Sequence, residues 1–558
     1  MRHVNQKRLL TVYIAVMLFA GLIFFKLYTI AVSDFGVILP ALNDQHTRRL
    51  NIAERRGFIF DRNGGIIAGY AGLYNSMIDP SKIGLDIAEE RENIYDAAER
   101  IARISNLDAE SILEQLKNGV PFIIQTHEPL NNNYAQSYMT YRRDSESSSA
   151  IHILGYLDSD RQGATGIEAA YNKLLEKTGA RIFAVYDSDA LNKSFKGEPI
   201  RTVDYGYNNK TGLTLTLDWS LQKKIEQIAD ENLSKGAIVI ADVETGEILA
   251  SVSRPVFSLD NIADYIDSEN GEFVNRAFSA FTPGSVFKTV IAAAALEINP
   301  RYLDFSYYCE GIIDISGRSF RCHHQWGHGE VADMTEAYAK SCNPYFMTLA
   351  LELGYAEIYE MAKNLGVGEF GSLDGLSVSR GNIPEIISPP PALIANTAIG
   401  QGELLMTPLE AARIFCAIAN GGVMPELSLV KSFIFENRNV DLSNRESRRV
   451  ISEQTVDYLL DMARAVVETG TGTSAAPEFG SAAGKTSSAE SGQLMQAENE
   501  DGEQEQIVHS WFAGYYPAEP ERRPLYSITV IAEGGVNENV RSAAIFKEIC
   551  DYLGSFLY

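Results

Sequence analysis

The sequence has few basic residues and few cysteines for its length. Among 558 residues, Lys and Arg together number 48 against 73 Asp and Glu, which gives a net charge of −25. This excess of negative charge repels a phosphate backbone, so nucleic acid is excluded as a partner. Five cysteines are too few to form a disulfide framework in a chain of this size. The length predicts two or three domains, and no internal repeat is visible.

Candidate metal ligands are scattered along the sequence. Cys309 and Cys322 bracket EGIIDISGRSFR, which predicts two short strands joined by a tight turn. The two thiols could form a disulfide or remain ordinary cysteines, because connectivity does not follow from spacing. His323, His324 and His328 are close together, but no Cys or His spacing beside them fits a zinc site. We therefore predict surface histidines, no metal site and no cofactor.

An apolar segment lies near the N-terminus. Residues 9–25 carry no charge, Lys26 interrupts the run, and apolar residues continue to position 32. The segment is long enough to cross a bilayer, which predicts a transmembrane anchor over 9–32. Basic residues within 1–8 make this stretch a cytoplasmic tail and place the rest of the chain outside the cytoplasm. A signal peptide cleaved at Ala31-Val32-Ser33 is the alternative, and the length of the run favours the anchor.

The remaining chain divides into two predicted domains that differ in composition and in hydrophobic pattern. Residues 33–205 are polar, mixed and rich in breaks, with a charged helical part and no evident chemistry. At DYGYNNKTG the texture changes, and the second domain is predicted over 206–558. It opens with the strand LTLTLD, the helix SLQKKIEQIADENL, and the strands GAIVIADV and EILASVS, which are joined by a hairpin turn.

The second domain is predicted to be α+β, with an antiparallel sheet flanked by helices. Its helix MTPLEAARIFCAIANGG begins with a capping box formed by Thr407 and Glu410. Strand-like HSWFAGYY and LYSITVIAEGG and a last helix close the chain. Strands at both ends of the domain indicate one sheet in which the first and last segments are neighbours. The acidic stretch 490–506 has almost no apolar content and predicts a solvated loop.

One lysine lies in a segment that otherwise has the composition of a buried helix. In FTPGSVFKTVIAAAALEI, Lys288 follows Ser285 by three residues, so on a helix the two side chains share one face. Burial of an unpaired ammonium is costly, which is tolerable where a neighbouring nucleophile needs a base. Ser-x-x-Lys is a weak pattern alone, since Ser220-Leu-Gln-Lys223 matches it on an amphipathic helix with a solvated face.

Two further motifs could complete such a site. Ser341-Cys342-Asn343 lies between helical stretches, where alternate residues of an extended turn point the same way. An anion clamp would take the form Lys-Thr-Gly, which occurs at Lys177 and Lys210 in polar, turn-like contexts upstream of Ser285. The better-placed candidate is Lys485-Thr486-Ser487, which follows small residues and is predicted to form a strand.

The ordered set Ser285-x-x-Lys288, Ser341-x-Asn343 and Lys485-Thr486-x resembles the penicillin-binding proteins and serine β-lactamases. RRGFIFDRNG resembles the RGxIxDRNG motif of the class B, monofunctional penicillin-binding proteins, and GATGIEAAYNKLLE and HILGY also fit that group. NRAFSAFTPGSVFK, AIGQGELLMTPLEAA and HSWFAGYYP are similar to its transpeptidase domain. The resemblance implies an N-terminal dimerisation or pedestal domain over 33–205 and a transpeptidase domain over 206–558.

The resemblance also implies the chemistry. A class B enzyme crosslinks peptidoglycan stem peptides ending in D-Ala-D-Ala through a serine acyl-enzyme, binds β-lactams covalently, and works at the cell membrane beside a lipid II polymerase. Ser285 would be the nucleophile and Lys288 its base, with Ser341 relaying the proton to the leaving amine. Asn343 would bind the substrate backbone. The terminal carboxylate would meet Lys485 and Thr486, and the backbone amides of Ser285 and Ser488 would hold the oxyanion.

Ser487 departs from the family, which has glycine there. We expect its side chain to stand beside the substrate and to crowd the cleft. Two other classes remain open at this point. A β-lactamase would need a deacylating water and has no evident use for the long N-terminal domain. A non-catalytic scaffold or β-lactam sensor would suit the anchor, but it would not need the intact Ser285, Lys288, Ser341 and Asn343.

Overall fold

The computed structural model describes residues 2–29, 46–83, 93–143, 149–195, 198–435, 438–443, 446–498, 504–535 and 541–558. Its α-helices are α1 (Arg2–Tyr28), α2 (Ile94–Ile104), α3 (Ala109–Asn118), α4 (Ile151–Leu154), α5 (Gly166–Ala170), α6 (Asn172–Lys177), α7 (Trp219–Asn232), α8 (Lys288–Ile298), α9 (Met334–Ala339), α10 (Asn343–Leu353), α11 (Tyr355–Asn364), α12 (Pro391–Ala398), α13 (Pro408–Ala419), α14 (Glu453–Glu468) and α15 (Arg541–Leu557). Short 3-10 helices cover Pro80–Lys82, Leu259–Tyr265, Arg276–Phe278, Gly284–Phe287, Pro300–Asp304 and Thr473–Ala475.

The strands are β1 (Thr47–Arg55), β2 (Phe58–Phe60), β3 (Ile66–Ala68), β4 (Tyr70–Ile78), β5 (Phe122–Thr126), β6 (Ala135–Arg142), β7 (Ala180–Asp187), β8 (Arg201–Tyr205), β9 (Gly212–Leu215), β10 (Gly236–Asp242), β11 (Ile248–Arg254), β12 (Tyr307–Cys309), β13 (Ile312–Ile315), β14 (Arg318–Arg321), β15 (Gly329–Val331), β16 (Ser372–Leu373), β17 (Leu376–Ser377), β18 (Val423–Pro425), β19 (Val430–Phe435), β20 (Arg438–Asp441), β21 (Ser447–Arg449), β22 (Ala483–Glu498), β23 (Gln504–Tyr516) and β24 (Tyr526–Gly535).

Two compact units interleave along the chain. The N-terminal unit comprises Met1–Arg56, Ala71–Arg142 and Gly179–Asn209, and the C-terminal unit comprises Gly57–Tyr70, Arg143–Thr178 and Lys210–Tyr558. The single boundary at 205/206 that the sequence predicts is therefore replaced by several crossings, the last of them at 209/210. The physical reason is long-range pairing: β2 runs parallel to β9, with Phe58 opposite Gly212. The local composition of the sequence does not indicate such a pairing.

The N-terminal unit contains two small sheets, ordered β1-β7-β8 and β5-β4-β6. Helices α2 and α3 pack on the second of these, and their apolar faces bury Ile101 and Ile112. Helix α2 begins at a capping box in which Asn93 and Asp96 bond each other's backbone amides. Helix α3 ends at Gly119, whose φ of 71° favours glycine.

Helix α1 carries the apolar N-terminal segment. Its stretch Arg8–Tyr28 spans 21 residues with a mean hydropathy of 2.2 and packs against no other described part of the chain. At 1.5 Å per residue this length suffices to cross a bilayer. Positions 30–32, which the sequence assigns to the same anchor, lie outside the described residues.

The C-terminal unit is built on one antiparallel sheet, ordered β11-β10-β24-β23-β22. Strand β10 pairs with β24, near the end of the unit, as predicted for the first and last segments of the sheet. The prediction of one sheet is wrong for the first strand, LTLTLD: it is β9, which lies in a second sheet ordered β20-β19-β9-β2-β3. Alternate residues of β10 face opposite sides, as strand geometry requires. Ala237, Val239 and Ala241 join the core that includes α8 and α13, whereas Ile238 and Ile240 join the core that includes α7 and α15.

The acidic stretch 490–506 is not simply a solvated loop. Strand β22 runs on to Glu498 and β23 begins at Gln504, with Leu494 opposite Gln506 and Glu498 opposite Gln504. The prediction of a loop is wrong for these two arms, because backbone pairing can extend a hairpin without apolar side chains. Residues 499–503 lie outside the described part.

Candidate active site

Ser285 lies in the 3-10 turn Gly284–Phe287 that leads into α8. Gly284 has a φ of 55° and donates its amide to the carbonyl of Gly400 at 3.0 Å. A Cβ on Gly400 would stand 1.9 Å from the Gly284 carbonyl oxygen, so the AIGQG segment needs glycine there. Trp511 Nε1 donates to the carbonyl of Thr282, two residues before Gly284, at 3.1 Å. These contacts fix the backbone at the proposed nucleophile.

Lys288 is fully buried one turn further on, as its apolar surroundings predict. Its Nζ donates to the Ser341 carbonyl and to Asn343 Oδ1, both at 2.7 Å, and to Ser341 Oγ at 3.2 Å. Burial lowers the pKa of Lys288 to about 8, because the interior disfavours the ammonium form. The neutral amine that a base requires is therefore accessible near neutral pH.

Ser341 connects the nucleophile to both lysines. It lies in the turn between α9 and α10 with a φ of 54°, in the left-handed region that is uncommon outside glycine. Its Oγ lies 3.1 Å from Ser285 Oγ and also accepts from Lys485 Nζ at 3.0 Å. Among the described residues, Ser341 Oγ is the hydrogen-bond partner of Ser285 Oγ. Proton exchange between Ser285 and Lys288 thus has a route through the Ser341 hydroxyl.

The third motif is on β22, beside the nucleophile turn. Lys485 is fully buried, and burial, followed by the positive charge of Lys288, holds its pKa well below the usual range. Thr486 faces outward and its hydroxyl bonds that of Thr471 at 2.6 Å. The structure brings Lys485 to the site, whereas Lys177 and Lys210, in the verbatim Lys-Thr-Gly matches, are exposed at the surface. Lys223 of the other Ser-x-x-Lys match is also exposed.

Ser487 is buried and contacts the turn that carries Ser285. Successive residues of β22 alternate, so Lys485 and Ser487 face inward while Ser488 is exposed. The Ser487 side chain is 4% exposed, and its Oγ accepts the backbone amide of Ser285 at 2.8 Å. Crowding of the cleft by this side chain therefore stays a prediction. The contact shown is with one of the two amides expected to hold the oxyanion.

Ser487→Gly is expected to accelerate acylation by β-lactams of every size, by about two- to tenfold. The reason is that the Ser285 amide no longer gives up a hydrogen bond of about 0.5–1.5 kcal/mol before it meets the oxyanion. Stopped-flow measurement of acylation rates tests this. Ser487→Ala, which removes Oγ but keeps Cβ, should match the gain. A slowing of about tenfold or more in both variants would show that the hydroxyl assists the reaction.

A second cluster lies directly behind the Ser341–Asn343 turn. The donor atoms of Cys309, Cys322, His328 and Cys342 all lie within 4.8 Å of one another. His328 is half-buried, with Nδ1 3.5 Å from Cys322 Sγ, so the prediction of a surface histidine is wrong for this residue. His323 and His324 are exposed as predicted. Cys309 and Cys322 are free thiols in this structure. These four residues could hold a metal ion.

Comparison with known proteins identifies the family. Residues 236–551, more than half of the chain, match the penicillin binding protein transpeptidase domain. Stage V sporulation protein D of Bacillus subtilis is 28% identical over 475 residues, covering 80% of this chain and 70% of the relative. Peptidoglycan D,D-transpeptidase MrdA of Haemophilus influenzae is 23% identical, covering 99% and 92%. Penicillin binding protein 3 of Mycobacterium tuberculosis, solved with aztreonam, superposes with a TM-score of 0.63 at 23% identity, covering 91% and 97%.

The fold and the site define a serine-type transpeptidase. The chain belongs to the penicillin-binding proteins, in their class B, monofunctional group. Helix α1 is long and apolar enough to span a bilayer, by its length and composition.

Proposed function

We propose that this protein crosslinks peptidoglycan stem peptides as a D,D-transpeptidase, with Ser285 as the nucleophile, and that penicillins acylate the same residue. The observation that carries this assignment is the convergence on one hydroxyl: Ser341 Oγ lies 3.1 Å from Ser285 Oγ and within hydrogen-bond distance of both Lys288 and Lys485. A serine linked to two buried amines is an activated nucleophile.

Acylation begins when neutral Lys288 draws a proton from Ser285, either directly or through Ser341, whose hydroxyl can both donate and accept. Ser285 Oγ then bonds the carbonyl carbon between the two terminal D-alanines of a stem peptide. The resulting oxyanion is held by the backbone amides of Ser285 and Ser488. The terminal D-alanine leaves with the proton that Ser341 returns. The amine of a neighbouring stem then attacks the acyl-enzyme carbonyl and gives up a proton to Lys288. The ester bond to Ser285 Oγ breaks, Oγ takes back a proton, and the crosslink is formed.

The terminal carboxylate of the donor stem is expected to meet Thr486, whose hydroxyl is paired with that of Thr471 on the outward face of β22. Lys485 lies beneath, with Nζ donating to Ser341 Oγ and to the Thr486 carbonyl at 3.0 Å each. In its ammonium form Lys485 therefore attracts the carboxylate electrostatically, and it donates a hydrogen bond directly to Ser341. Asn343, whose Oδ1 accepts from Lys288, retains its amide nitrogen for bonding to the Arg321 carbonyl or to the substrate backbone.

We propose that the catalytic domain lies outside the cytoplasm. Arg2, Lys7 and Arg8 flank the N-terminal end of the apolar segment, and the positive-inside rule retains such residues in the cytoplasm. Stem peptides carried by new glycan strands are exposed on the opposite side of the membrane. Since a monofunctional transpeptidase makes no glycan, a membrane-embedded lipid II polymerase would supply its substrate.

Full-length protein supplied with lipid II and a lipid II polymerase should release D-alanine and form crosslinked stem dimers, and penicillin should stop both. Lys485→Ala should lower D-alanine release by about 10²–10³-fold, as for loss of one electrostatic stabiliser. Lys210→Ala, in a verbatim Lys-Thr-Gly match, is the matched control and should retain activity. Equal losses in both variants would contradict the assignment of the clamp.

The same assay separates the two other functional classes. Catalytic turnover of a β-lactam in solution, without crosslinking, would indicate a β-lactamase. Normal penicillin labelling without any release of D-alanine would indicate a sensor or scaffold. Either result would refute the proposed transpeptidation.

A further inference from the structure

Three of the five cysteines meet one histidine at a single point. Cys309 ends β12, Cys322 follows β14, His328 precedes β15, and Cys342 is the N-cap of α10. The three thiols are buried, with exposures of 1%, 7% and 0%. Their donor atoms and the imidazole lie within 4.8 Å of one another. Four ligands around a tetrahedral zinc ion stand about 3.3–3.8 Å apart, given bonds of about 2.0–2.3 Å.

Burial of thiols alone would not be informative, since free cysteine is a small apolar residue that cores accept readily. The other two cysteines show that ordinary situation: Cys416 and Cys550 are buried among apolar residues, and neither belongs to a histidine–cysteine group among the described residues. Cys309, Cys322 and Cys342 differ because they come from three separate elements and converge on an imidazole.

The backbone around the cluster is shaped for this approach. Gly327, with a φ of 73°, passes so close to β12 that a Cβ would lie 2.1 Å from the Cys309 carbonyl oxygen. Gly329 follows His328 with a φ of 68°. These two glycines let the loop carry His328 against the cysteines.

We propose that Cys309, Cys322, His328 and Cys342 bind one Zn²⁺ ion in a closed tetrahedral site. Three thiolates and one imidazole are a ligand set characteristic of structural zinc. With four protein ligands, no position is left for water or substrate, so the ion takes no part in acyl transfer. Its role is to hold the chain.

The segment that the ion holds is the Ser341–Asn343 turn. Cys342 lies between the residue that contacts Ser285 and the residue that contacts Lys288. Ser341 has a left-handed φ of 54°, which surrounding structure must sustain. A metal bond at Cys342 anchors this turn to β12 and to the turn after β14. Zinc thus positions the Ser341 hydroxyl, and this part of the inference rests on the proposed function.

Metal analysis of the full-length protein, purified in detergent under reducing conditions without chelator, tests the site directly. We expect one zinc per chain. His328→Ala and Cys309→Ser should weaken zinc binding at least about 100-fold, since even loss of a residue that merely supports a ligand costs 10–100-fold. His324→Ala, in the same loop but exposed, should keep its zinc. Wild-type protein that neither carries zinc nor takes up added Zn²⁺ would overturn the proposal.

Two further measurements distinguish a bound metal ion from a disulfide or a group of free thiols. Cobalt substitution should give the absorption of a tetrahedral thiolate complex in wild type and in His324→Ala, but not in His328→Ala. Mass spectrometry that finds a disulfide among the three cysteines of the native protein would contradict zinc binding.

The positioning role has its own readout. Removal of zinc by a chelator should slow penicillin acylation about tenfold or more, with recovery on adding Zn²⁺. An unchanged rate would refute the positioning role and leave the zinc content as a separate result.

Discussion

Ser285→Ala is expected to abolish covalent labelling by a fluorescent penicillin. Among the described hydroxyls, that of Ser341 bonds both Lys288 and Lys485, and its partner is the Ser285 hydroxyl. Ser341 can relay a proton, but it lacks the oxyanion donors of the Ser285 turn. The change removes one oxygen from a half-buried position, so the fold should persist. Labelling followed by gel analysis measures the loss, which should be complete.

Ser220→Ala is the matched control, because Ser220 belongs to the second Ser-x-x-Lys match on the solvated start of α7. Its labelling should equal that of the unaltered protein. Peptide mapping of the penicillin adduct should place the added mass on the tryptic peptide that contains Ser285. An adduct that survives in Ser285→Ala, or one that maps elsewhere, would end the assignment.

Lys288→Ala should slow penicillin acylation by about 10²–10⁴-fold, the range contributed by a positioned general base. The pH dependence gives a second readout. Because burial lowers the pKa of Lys288 to about 8, the neutral fraction, and with it the acylation rate, should rise with pH and level off above about 8. The variant should lose this rise.

Lys223→Ala, which removes an exposed lysine, should reproduce the original rate and pH profile. Circular dichroism should show that Lys288→Ala retains its fold, since the substitution removes a buried amine and leaves the apolar face of α8 intact. A pH profile that is flat between pH 6 and 9 in the unaltered protein would contradict a titrating base.

Features carried by local sequence were predictable. Ser285 and Lys288 share a helix face because they are three residues apart, and the apolar run around them predicts burial, which the structure shows for Lys288. The capping box of Thr407 and Glu410 is present as predicted, and β10 and β11 form the expected hairpin. In each of these cases, neighbouring residues determine the conformation.

Features set by distant pairing were not predictable. The insertion of β2 beside β9 depends on residues about 150 positions apart. For Ser487, strand alternation was evident from the sequence, but which face was buried depended on the packing of the nucleophile turn. The cysteine–histidine cluster was not predicted from the sequence because the spacing of its residues follows no short motif. The ends of three strands and the start of α10 bring the ligands together, and only the folded chain shows it.

The two amines that contact Ser341 Oγ, those of Lys288 and Lys485, also influence each other's protonation. The two ammonium groups repel each other, since the charge of Lys288 contributes to lowering the pKa of Lys485. Without substrate, the pair should therefore carry fewer than two positive charges. An arriving carboxylate adds negative charge next to Lys485 and favours a proton there. A proton on Lys485 would in turn favour the neutral form of Lys288, which a base requires. A ligand with an uncharged group in place of the carboxylate would not favour a proton on Lys485. The enzyme would therefore distinguish charged from uncharged ligands partly through the protonation of Lys485 and Lys288.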